Sequence, residues 1–253
     1  MRTEAERVAW PFRGLPAFFR TEALVQLHEE LAMATSMMVQ VVLLIFVWIL
    51  NPGLIGIALV GAVIFSMFSM GQRVLNEAAY IRIDHKANEL YLAGPLSAEA
   101  YFLGMSTGIL AVYVPPVIAV AILAALVIHA TVPILLMLAG LSGAVWLFSA
   151  SIGYVFSTAF RDNRAIWAYS SLFFNVFGVL PPVFYPFHYF PAPLHPVVLL
   201  MPPSAATALL QHAIGATALT PAEIVLAVTG LAVETLGLFL FAIYWARRTV
   251  RER

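Results

Sequence analysis

From Ala100 to Phe160 the chain carries no Asp, Glu, Lys or Arg. No water-facing surface can be built from such a run, because charged side chains make up about a quarter of an ordinary soluble domain. The run is also too long for one bilayer crossing, which takes about 20 residues of helix. His129, Thr131 and Pro133 divide it into two apolar helices, about 100–128 and 132–159. Each is long enough to span a membrane.

The rest of the chain repeats the pattern. Leu31 to Leu50 is one apolar run, Asn51-Pro52-Gly53 turns the chain, and Leu54 to Met70 forms the return. A polar segment, Gln72 to Ser97, leads to the uncharged stretch. After the connection Arg161-Asp162-Asn163-Arg164, Ile166 to Leu180 makes a short fifth span. Thr220-Pro221-Ala222-Glu223 opens a sixth, with a capping threonine, a first-turn proline and a reciprocal glutamate, and it runs to about Ala246. The expected fold is an all-α integral membrane protein with six transmembrane helices. It forms a single domain over 1–253: an N-terminal cytoplasmic or interfacial part at 1–30, a bundle at 31–246 and a tail at 247–253.

Composition excludes the other classes. With 62% hydrophobic and 10% charged residues the chain is neither a soluble enzyme nor disordered, and a net charge of +0 denies it a nucleic-acid surface. Without cysteine it has no disulfide, thiolate metal site or cysteine nucleophile. Glu4 and Glu6 lie among the N-terminal arginines and no cleavage-type stretch follows, so the first apolar run reads as a permanent span.

Orientation follows from the 13 basic residues. Arg2, Arg7, Arg13 and Arg20 precede span one, and Arg73, Arg82 and Lys86 lie between spans two and three. Arg161 and Arg164 separate spans four and five, and Arg247, Arg248, Arg251 and Arg253 end the chain. With six spans all fall on one side, which the positive-inside rule places in the cytoplasm with both termini. The expected location is the cell membrane.

Two segments are not simple spans. Leu15 to Glu30 carries Phe18, Phe19, Leu24 and Leu27 at helical spacing among Arg20, Glu22, His28 and Glu29. It reads as an amphipathic interfacial helix or as an extension of span one. Residues 181–221 are proline-broken yet apolar, which suits short re-entrant helices on the external side. Between spans two and three, Asp84 can cap a short cytoplasmic helix ended by Gly94-Pro95, and Ser97 can cap span three. Such a helix is either a transmitter of motion from a soluble partner or a plain connector.

Glu234 is the one carboxylate deep in a span, a position that favours function but also suits a protonated structural group; Asn175 and Gln40 are its polar companions. Gly140-Leu141-Ser142-Gly143 and His212-Ala213-Ile214-Gly215 echo the serine and histidine motifs of rhomboid-like intramembrane serine proteases. Catalysis there would need the two side chains in hydrogen-bond reach.

Glu89-Leu90, Ala93-Gly94-Pro95-Leu96-Ser97 and Tyr101-Phe102-Leu103-Gly104 together resemble the loop and third-span entry of ABC-2 type permeases, the membrane subunits of ABC exporters. Phe184-Tyr185-Pro186, Phe190-Pro191 and Met201-Pro202-Pro203 are similar to that family's external aromatic-proline pattern. Asp84-His85-Lys86-Ala87 and Leu180-Pro181-Pro182 depart from it. The resemblance implies an ATP-driven exporter of amphipathic or lipid-linked substrates, working as a pair of permeases among membrane lipids. It implies a coupling helix in which Asp84, His85, Lys86, Glu89, Leu90, Tyr91 and Pro95 meet an ABC ATPase. It also implies an external gate at Phe184, Tyr185, Pro186, Phe190 and Pro191. The only lysine is Lys86, so no P-loop is present. ATP and Mg would bind a separate subunit, and no cofactor or catalytic residue is expected on this chain. The alternative is a proton-coupled secondary transporter working through Glu234.

Overall fold

The computed structural model describes residues 14–28, 30–83, 96–159 and 162–251. The coupling segment, with Asp84, His85, Lys86, Glu89, Leu90, Tyr91 and Pro95, lies outside the described residues.

The described residues form helices and turns and no strand. The helices are α1 (Leu15–Leu27), α2 (Glu30–Leu50), α3 (Ile55–Ile83), α4 (Ala98–Val127), α5 (Val132–Ser157) and α6 (Asn163–Val179). Then come α7 (His195–Leu199), α8 (Pro202–Ala213) and α9 (Pro221–Arg251). Single 3-10 turns occupy Pro52–Leu54, Phe187–Tyr189 and Ala192–Leu194. Four stretches are long and apolar enough to cross a membrane: Pro52–Ile83, Ala98–Val127, Val132–Ser157 and Pro221–Arg248. Ala192–Leu199 and Pro202–Ala213, bent by 113° to one another, make a fifth if counted as one broken span. Gln40–Leu50 and Ala165–Val179 are shorter apolar helices.

Local chemistry sets most boundaries. Asn51 accepts from Gly53 N at 3.1 Å and Pro52 starts the turn between α2 and α3. Ser97 caps α4 by accepting from Ala100 N at 3.1 Å, with Glu99 in the first turn. His129, at φ 49, reverses the chain between α4 and α5. Thr220 and Glu223 close a reciprocal cap on α9.

Two expected ends move. The polar segment from Gln72 continues helix α3 to Ile83, because Val74, Leu75, Ala78, Ala79 and Ile81 bury one face and no breaker interrupts them. Helix α9 likewise runs on through the expected tail to Arg251.

Helix α3 is the central rod. Of its apolar stretch 67% is buried, against 28% in α4, 22% in α5 and 17% in α9. It packs on α5, α4, α6, α2 and α8, while α9 leans on α5 and α4. Helices α3 and α5 run side by side in the same direction and approach closely. A Cβ on Gly71 would stand 2.2 Å from Ser149 O, and one on Gly153 would stand 2.1 Å from Gly71 O. The backbones touch there. Aromatic pairs fill the flanks: Phe68 with Phe174 at 5.1 Å and Phe102 with Tyr154 at 4.8 Å between centroids.

Polar contacts fasten the arginine-rich end. Arg82 donates to Ser157 O, Arg247 pairs with Glu99, and Trp245 Nε1 donates to Thr158 Oγ1 at 2.9 Å.

Candidate functional site

Helix α1 lies lengthwise along the first half of α4. Gly104 and Gly108 leave room for it: a Cβ on Gly104 would meet Phe18 Cδ1 at 2.9 Å, and one on Gly108 would meet Glu22 Cβ at 2.8 Å. The buried face is Phe18, Glu22 and Gln26, whereas Leu24 and Leu27 are exposed. The expected apolar stripe is therefore split, with two of its leucines facing outward and a carboxylate facing inward. His28 caps α1 before α2 begins, so the two are separate helices.

Under α1 the side chains converge on polar groups. Gln26 Nε2 donates to Glu22 Oε1 at 3.1 Å and to Glu77 Oε2 on α3 at 3.2 Å. One turn away, the Arg73 guanidinium stands 4.6 Å over the Tyr113 ring. One amide thus joins two carboxylates and ties α1 to α3. The sequence reading missed Gln26 and Glu77, and the spacing of Phe18, Glu22 and Gln26, four residues apart, was the available signal.

The proline-rich end is built around Gln211, which is fully buried in α8. Its Oε1 accepts from Phe187 N at 2.8 Å and Thr217 Oγ1 at 3.1 Å, and its Nε2 donates to Tyr185 O at 3.0 Å. Proline-broken chain exposes backbone groups that no helix can satisfy, and a buried amide supplies both a donor and an acceptor for them. Of the five expected gate residues, Tyr185 meets it directly through its carbonyl. Phe184 is buried against Phe65, 5.5 Å between centroids, and Tyr185 donates to Leu180 O at 2.7 Å. Burial raises the Tyr185 hydroxyl above the ordinary tyrosine range. Pro186 and Pro191 cap the two 3-10 turns, and Phe190 O faces His195 Nε2 at 3.0 Å. His195 Nδ1 lies 2.9 Å from Glu223 Oε1.

The expected intramembrane polar set stays on three separate helices, with no hydrogen bond joining its members. Gln40 is buried and accepts from Ser66 Oγ at 2.8 Å. Asn175 is exposed on α6 and donates to Ser171 O at 2.8 Å. Glu234 is half-buried on α9. Ser142 Oγ has no hydrogen-bond partner among the described residues, and His212 Nδ1 accepts from Leu219 N at 3.2 Å. No serine–histidine dyad is formed. No His, Asp and Glu group suited to a metal occurs among the described residues.

No family model, curated protein or solved structure matches this chain.

Proposed function

We propose that this chain is the membrane subunit of an ATP-driven exporter of the ABC-2 type, moving an amphipathic or lipid-linked substrate outward. In this reading α2, α3, α4, α5, α6 and α9 are the six spans. At 21 and 17 residues, α2 and α6 measure about 31 and 25 Å, close to the hydrocarbon thickness. The arginine-rich end lies in the cytoplasm, α1 sits near that interface, and α7 and α8 form a re-entrant external pair. Residues 84–95 dock on a separate ATPase that binds ATP and Mg, and a second permease completes the path.

The observation that carries the reading is the bent α7–α8 pair, held by Gln211 at the end opposite Arg82 and Arg247. Irregular backbone is tolerated at membrane depth only where protein satisfies it, and here the buried Gln211 amide meets Phe187 N–H and Tyr185 C=O. The decisive experiment is purification of the tagged chain from its native membrane. An ATPase with Walker motifs should accompany it, and transport should require ATP. Proton-driven transport by the purified chain alone would overturn the assignment.

That outcome is the second reading, a proton-coupled carrier, and one observation favours it. The Glu234 carboxylate lies mid-helix with no hydrogen bond or ion pair to any described residue. Glu234→Gln should leave ATP-driven export largely intact under the first reading and abolish gradient-driven transport under the second.

A further inference from the structure

Between Arg164 and Arg247 the sequence holds two formally charged residues, Glu223 and Glu234, and neither is basic. Glu223 therefore has no fixed cation within its own part of the fold. What faces it is a histidine. His195 Nδ1 stands 2.9 Å from Glu223 Oε1, and Nε2 of the same ring stands 3.0 Å from Phe190 O. A carboxylate and a carbonyl both only accept. A neutral imidazole has one N–H and one bare nitrogen, so one of the two contacts would set lone pair against lone pair. Both are satisfied only when the pair holds one additional proton, either on the ring or on Oε1 as an O–H donating to Nδ1. Oε2 is already committed, accepting from Thr220 N and Thr220 Oγ1, each at 2.8 Å.

We propose that His195 and Glu223 form a proton-operated latch that fastens the bent α7–α8 pair to the start of α9. His195 opens α7 and Glu223 lies in the first turn of α9, so the contact adds a polar tie to the apolar packing of Val198 and Leu199 against Ala227. Both side chains keep about a fifth of their surface exposed, at 18% and 21%, so protons can reach them.

The other titratable groups nearby are engaged elsewhere. His188 Nδ1 faces Thr217 Oγ1 at 3.4 Å, His212 Nδ1 accepts from Leu219 N, and the Tyr185 hydroxyl donates to Leu180 O. The His195 ring also stands against the Phe187 ring, 4.3 Å between centroids. The latched form binds one proton more than an open form with neutral histidine and free carboxylate. Acid therefore closes the latch and base opens it, with at most a tenfold change in the latched-to-open ratio per pH unit.

Spin labels on Val197→Cys in α7 and Val225→Cys in α9, both exposed positions in a chain without native cysteine, read the latch in lipid nanodiscs. At pH 5.5 the full-length chain should give a narrow, short distance distribution, and at pH 8.5 a longer component should grow at its expense. Glu223→Gln should remain latched at both values, because the amide donates to a neutral Nδ1 while its oxygen keeps the Thr220 contacts. His195→Phe should show the open distribution throughout. Identical wild-type distributions at the two pH values would overturn the proposal. So would a pH shift of wild-type size in Glu223→Gln, a comparison that decides the matter even if His195→Phe fails to fold.

Discussion

A single added methyl group should separate the glycines of α5. Gly153→Ala drives a Cβ to 2.1 Å from Gly71 O, a backbone atom that can yield only by parting α3 from α5. Overpacking of this kind costs about 1–3 kcal/mol, and a backbone obstacle puts it at or above the upper end. Gly140→Ala, on the same helix, meets nothing within 4 Å and should be neutral, or gain about 0.5–1 kcal/mol of helix propensity. Thermal unfolding of the two variants in one detergent gives the comparison. Gln211→Leu is the polar counterpart. It keeps volume but strands Phe187 N–H and Tyr185 C=O in a buried site, at about 1–3 kcal/mol for each group. Early proteolysis within 181–200, with the long helices still protected, is the expected sign.

At the scale of elements, the placement of α1 is open to a direct chemical check. The Cβ position of residue 104 lies 3.4 Å from Phe18 Cβ, close to the separation a disulfide spans. Phe18→Cys with Gly104→Cys should therefore oxidise to an intramolecular crosslink, identified by mass spectrometry of unreduced peptides; a helix lying flat on the lipid surface, away from α4, would leave both thiols free. The same helix shows where reading from sequence stops. Periodicity puts Phe18, Glu22 and Gln26 on one face, but only the clefts at Gly104 and Gly108 and the facing Glu77 decide that this polar face turns inward. The caps at Ser97 and Thr220 were legible because donor and acceptor lie within four residues of each other. Arg73, Asn76 and Glu77 read as part of a polar segment because charge usually signals water, yet each is spent on a neighbouring helix: Asn76, for example, accepts from Ser170 Oγ on α6 at 3.2 Å. Gln211 carried no local signal, since its partners lie on segments six and more residues distant.

Taken as a whole molecule, the chain separates its chemistry by end, with arginines at one and prolines at the other, and this sets the topology to be tested. If the arginine-rich end is cytoplasmic, a cysteine at residue 163 should escape an impermeant thiol reagent in intact cells, whereas one at exposed Ala218 should be labelled. The reverse result would invert the protein. The two ends are joined mechanically by α3, whose 29 residues measure about 43 Å. Backbone contact with α5 at Gly71 falls near its middle. Ten residues toward one end, Gly61 abuts Val183 O in the proline-rich segment; eleven toward the other, Arg82 is tied to the end of α5. Gly71 thus divides the stretch of α3 between these contacts into nearly equal arms of about 15 Å. A 10° tilt about that point would carry the ends of the two arms about 2.5 Å in opposite directions.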